Sequence, residues 1–123
     1  MSKKIKLVWF DTPFDHIRYT LVQSKEQMKD AGYKKSEFLS MNCPAQVTFG
    51  TNKQGKNEAI VQLGNVQFKS RIAIFGLLLH EAVHIYQEVK RLMGEKDVSS
   101  EFEAYSIQRI AQDLFWAFEE SEK

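Results

Sequence analysis

The stretch Phe75-Gly76-Leu77-Leu78-Leu79-His80-Glu81-Ala82-Val83-His84-Ile85-Tyr86 combines an apolar helical period with two histidines and a glutamate. Histidines four residues apart share one helical face, one turn apart, where both imidazoles can reach the same ion. Zinc requires that geometry. Glu81 projects to the side of the pair, where its carboxylate can take a proton from a water whose pKa the metal lowers to about 7. Two histidines on an apolar helix can also be core residues satisfied by their neighbours. Burying two imidazoles and a carboxylate without partners is expensive, however, and a single metal ion accounts for all three.

Working outward, the helical period begins at about Lys69 and runs to Leu92, where Gly94 stops it. A last helix is expected from Ser99 or Ser100 to Phe118, with Phe102, Ile110, Leu114, Phe115 and Phe118 packed on the core and Trp116 at its edge. Upstream the period is that of strands. Ile5, Leu7 and Trp9 alternate up to the turn Asp11-Thr12-Pro13, and Ile17, Tyr19 and Leu21 form a second alternation. Ser24 with Gln27 has the form of a capping box and Gly32 supplies a stop, which predicts a short helix over about 25–31. Ala45 to Phe49 and Glu58 to Leu63 read as strands flanking a long polar loop over 50–57. Strands first and two long helices last predict an α+β fold with a small, mainly antiparallel sheet.

Two histidines leave a zinc site incomplete. Gln87 stands where an elongated histidine motif needs Gly, and Lys90 where it needs a third His, so that ligand does not follow on the same helix. Glu88 lies about 12 Å along the axis from His80, too far to share its ion. Glu101 and Glu103, at the start of the next helix, remain, with Glu103 preferred. Two helices joined by a short connection pack antiparallel, which brings the early turns of the second alongside the first. Against this, Ser100 and Glu103 also match a capping box, and Glu101 at a helix start is favoured by the helix dipole. Gln87 shares the face of His84 and can orient it through a hydrogen bond. Tyr86 and Tyr105 fall roughly opposite the metal faces of their helices and read as core, and His16 reads as a surface residue.

The chain of 123 residues has the size of one domain over 1–123, and nine Phe and two Trp give it material for a core. A formal charge of +1 disfavours nucleic acid as a partner, although Lys53, Lys56 and Lys69 could form a local patch. Cys43, the one cysteine, cannot make an intrachain disulfide and reads as a buried thiol. Met1-Ser2-Lys3-Lys4 does not lead into an apolar run of the signal-peptide kind, so a cytoplasmic location is expected. The longest apolar run, Ile72 to Leu79, is too short for a membrane span and reads as buried helix.

The string Glu103-Ala104-Tyr105, continuing through Ile107, Ala111 and Leu114, resembles the second signature of ImmA/IrrE-type metallopeptidases, in which HExxH is followed on a later helix by Glu-Ala-Asn. In that pattern the Glu before Ala is the third zinc ligand, which carries over to Glu103 and implies a glutamate-ligand, or gluzincin, site. Tyr105 replaces the usual Asn, the interval from His84 to Glu103 is shorter, and the helix-turn-helix domain common in such proteins is absent. Residues from about 58 to 115 are also similar to short phage and prophage proteins carrying HEAVH and EFEAY. The resemblance implies a minimal zincin-like domain: a sheet packed on the HExxH helix, with an edge strand above the metal able to pair with an extended peptide. Glu58 to Leu63 is the expected edge.

These readings define a zinc-dependent metallopeptidase acting on a peptide or protein substrate, with Zn2+ held by His80, His84 and Glu103 and with Glu81 as general base. The ligand set favours zinc over nickel or cobalt. The alternative keeps the scaffold but uses its surface to bind and regulate a host or partner protein.

Overall fold

Side chains alternate in direction along the strands, and this alternation gives one sheet two cores, one on each face. The computed structural model of the protein describes residues 6–40 and 43–123. Its elements are β1 (Phe10–Asp11), β2 (Arg18–Val22), α1 (Lys25–Asp30), β3 (Ala45–Thr51), β4 (Asn57–Leu63), α2 (Arg71–Met93) and α3 (Ser100–Ser121), with 3-10 turns at Pro13–Asp15 and Lys35–Glu37. Tyr19, Leu21, Ala59, Val61 and Leu63 face α2 and α3 and form the main core with Leu78, Ala82, Ile85, Ile110, Leu114 and Phe118. On the opposite face Val22 and Ile60 join Met28 and Ala31 in a smaller cluster, flanked by Leu7, Trp9, Tyr33 and Phe38. The architecture is α+β, as its residue periods predict.

The sheet runs β1-β2-β4-β3. β1 and β3 are antiparallel to their neighbours, but the central pair is parallel, in register from Arg18 opposite Glu58 to Val22 opposite Gln62. The sheet is therefore mixed, where a mainly antiparallel one was expected. The chain leaves β2, makes α1 and then β3, and returns through a tight turn into β4, which enters beside β2 in the same direction. This also corrects the expected edge. Glu58 to Leu63 is an inner strand, buried from Glu58 to Leu63, and the edge beside α2 is β3. Gln62, a polar residue within this strand, is buried with hydrogen bonds to Thr48 Oγ1, Gln46 and the Leu39 amide.

The first strand also differs. Ile5 lies outside the described residues, Leu7 and Trp9 are in irregular chain, and pairing is confined to Phe10–Asp11. The hairpin loop is shorter than expected, because β3 extends to Thr51 and β4 begins at Asn57. The helix ends follow local chemistry. Ser24 caps α1 through the Gln27 amide, and Ser70 caps α2 through the Ala73 amide. Gly94, at φ 71°, closes α2 in the left-handed conformation. α3 is capped by Ser99, one of the two expected starts, which accepts from the Phe102 amide, and the competing box of Ser100 with Glu103 is not the cap.

Candidate metal centre

The buried stripe of α2 from Ile74 through Leu78, Ala82, Ile85 and Val89 fixes the rotation of the helix. That rotation leaves His80 and His84 at the surface and turns Glu81 inward, because consecutive residues differ by about 100° around the axis. The Nε2 atoms of His80 and His84 face each other at 3.1 Å. Two nitrogens bound to one tetrahedral zinc at about 2.0–2.1 Å stand about 3.3 Å apart, so the pair is spaced as zinc would hold it. His84 Nδ1 lies 3.0 Å from Gln87 Oε1. With that oxygen as acceptor, Nδ1 carries the proton and Nε2 keeps its lone pair for a metal.

Glu81 completes a group in which the candidate donor atoms of His80, Glu81 and His84 all lie within 4.8 Å of one another. It is only 4% exposed, and its Oε2 has no hydrogen-bond partner. Burial pushes its carboxyl above the usual range, opposed by the two histidines. A carboxyl raised in this way holds a proton more readily than a free one.

Glu103 does not join this group. It lies exposed in the first turn of α3, and its charge raises the pKa of the Tyr86 phenol, two residues beyond His84, after the larger effect of burial. Glu101 is likewise exposed in that turn. Tyr86 is buried against Phe102, as expected of a core residue, whereas Tyr105 is 55% exposed. His16 stays near its own turn, its Nδ1 3.4 Å from the Pro13 carbonyl, and Cys43, half-buried, contacts the Ala45 carbonyl.

A cleft of about 410 Å³ opens between the start of β3 and α2 and reaches both His80 and Glu81. Pro44, Ala45, Ala73, Gly76 and Leu77 form its walls. No cleft at Gly76 was expected from the sequence. The available signal was its place, with Ala73, one and two turns before His80 on the same helical face. The run Ile72 to Leu79 is also less buried than expected: Ile72 is 84% exposed, and Phe68 just before the helix 93%. No helix of the structure is long and apolar enough to cross a membrane among the described residues.

Comparison with family models, with curated proteins and with solved structures finds no match.

Proposed function

We propose that the chain is a minimal zincin-like, zinc-dependent peptidase. The observation that carries this is the pair of facing Nε2 atoms at 3.1 Å beside a buried, unpartnered Glu81 carboxylate in one cleft. His80 and His84 hold the ion in this reading. Glu103, which stands outside the His80–Glu81–His84 group, is the third protein ligand in this reading, supported by its Coulombic effect on Tyr86, two residues beyond His84. When bound, zinc acidifies a water molecule and polarises a substrate carbonyl.

Glu81 would accept a proton from the attacking water in the cleft and pass it to the leaving amine. Gln87 fixes the tautomer of His84. The free edge of β3 pairs with an extended peptide, holding its backbone alongside the cleft. A cytoplasmic location remains our reading and fits a chain whose sole cysteine has no disulfide partner.

A second reading is favoured by one observation: Phe68, just before α2, and Ile72 and Leu79 on it are exposed apolar residues, as expected of a surface that binds and regulates another protein. Metal analysis and one variant separate the two. Purified protein should carry about one zinc per chain, lost in His80→Ala and His84→Ala and sharply reduced in Glu103→Ala. Retention of zinc by Glu103→Ala would remove that residue from the ligand set and leave the histidine pair standing. Glu81→Gln should keep its zinc and lose peptide hydrolysis by about 10²–10⁴-fold. A chain that binds no zinc, or whose biological effect survives Glu81→Gln, is a binding protein and not a peptidase.

A further inference from the structure

We propose a second ligand site, apart from the metal centre, that takes a small aryl carboxylate: one flat apolar ring carrying one negative charge. Its cavity, about 280 Å³, lies between the chain leading into β1, the end of β2 and the last turns of α3. The metal cleft opens beside β3, at the opposite edge of the sheet, and the two have no wall residue in common among the described residues. A ligand held here leaves the metal centre free.

The space follows from residue size. Ala117 and Ser121 lie one turn apart on one face of α3, and both are too short to fill the gap between helix and strand. Leu21, Val8 and Trp116 supply the apolar wall. Trp116 is 48% exposed, and its ring meets Phe10 nearly at right angles, 6.1 Å between centres. That contact leaves indole surface for a second ring, and a ring laid against it removes apolar area from water on both partners. Pockets for drug-sized ligands hold about 300–1,000 Å³, so a cavity just below that range suits a single ring with a short chain.

The charge of the ligand follows from the polar walls. Glu120 is already neutralised by Lys123, 2.8 Å away. Lys6 lines the same cavity, is exposed, and makes no ion pair with any described residue. One uncompensated positive charge is thus presented to a ligand, with the side-chain amide of Gln23 as a further polar wall. A carboxylate gains a charge-assisted hydrogen bond from the Lys6 ammonium, whereas a cationic ligand meets it as a like charge. A neutral ligand of the same shape gains only the apolar contact.

The test is calorimetry on the full chain with three probes of one shape: 3-phenylpropionate, 3-phenylpropan-1-ol and 3-phenylpropan-1-amine. The acid should bind saturably and roughly two- to fivefold more tightly than the alcohol, the gain expected of an ion pair at an exposed lysine, with the amine weakest. Lys6→Gln should abolish the advantage of the acid and leave alcohol binding unchanged, while Lys6→Arg keeps that advantage. Binding should also change the emission of Trp116, and Trp116→Phe, which leaves Trp9 as the sole tryptophan, should lose that change. Ala117→Leu fills the cavity from the helix side and should abolish binding of all three probes. Ser121→Phe fills it one turn later, should Ala117→Leu not fold.

Failure of all three probes to saturate overturns the site, as does binding that survives both filling variants or an emission change that persists in Trp116→Phe. Equal binding of acid and alcohol overturns the carboxylate. Tighter binding of the amine overturns it too, in favour of a cation drawn to Glu120.

Discussion

Tyr33 shows how one side chain ties the second core to the sheet. Its hydroxyl donates to Glu58 Oε1 at 3.2 Å, and the Glu58 carboxylate, itself buried, forms an ion pair with Arg18 at 3.1 Å. Arg18 in turn lies over the Trp9 ring, 3.6 Å from its centre. Gly50 is required beneath it, since a Cβ there would come within 2.4 Å of the Tyr33 oxygen. Burial, and then the Glu58 charge, push the phenol up to about 12. The folded state thus favours the protonated phenol. Its contribution is complete below the ordinary tyrosine pKa of about 10 and is lost as pH rises through about 12. Urea unfolding at pH 9 and pH 11.5 should show a larger loss for the wild type than for Tyr33→Phe. Equal losses would show that this phenol does not sense the change.

At the scale of elements, what was legible depended on how local its determinants are. The two long helices, the Ser24 cap of α1, the Gly94 stop and the histidine pair all follow from residues within a turn or two of one another, and sequence reading found them. Which strand is the edge, and that the central pair is parallel, depend on how β2 meets β4 about forty residues later in the chain, and no local pattern records that meeting. The cleft was missed for the same reason, since its walls come from a strand and a helix distant in sequence. The Gly94 conformation gives a direct test. Gly94→Ala meets no steric neighbour, so its effect is backbone strain alone, expected at about 1 kcal/mol in chemical denaturation. Ser99→Ala should cost a similar amount, about 1 kcal/mol, by removing the cap of α3. If Ser100→Ala proved the more damaging of the two serine variants, the assignment of the cap would be wrong.

For the whole molecule, a ligand held only by the folded chain adds to its stability by mass action. Zinc at 100 times its dissociation constant should add about 2.7 kcal/mol, which for a domain of this size raises Tm by about 10 °C. A chelator should reverse that rise, and His80→Ala should show none of it. The parallel pairing of β2 with β4 has a kinetic counterpart. The β3–β4 hairpin and the α2–α3 pair can each close over a short stretch of chain, whereas β2 must be brought to β4 across a long loop whose closure entropy is lost before any pairing is gained. Refolding should therefore be limited by the arrival of the amino-terminal third, after the helix bearing His80 and His84 has already packed. Substitutions in β2 would then leave the folding rate nearly unchanged and accelerate unfolding.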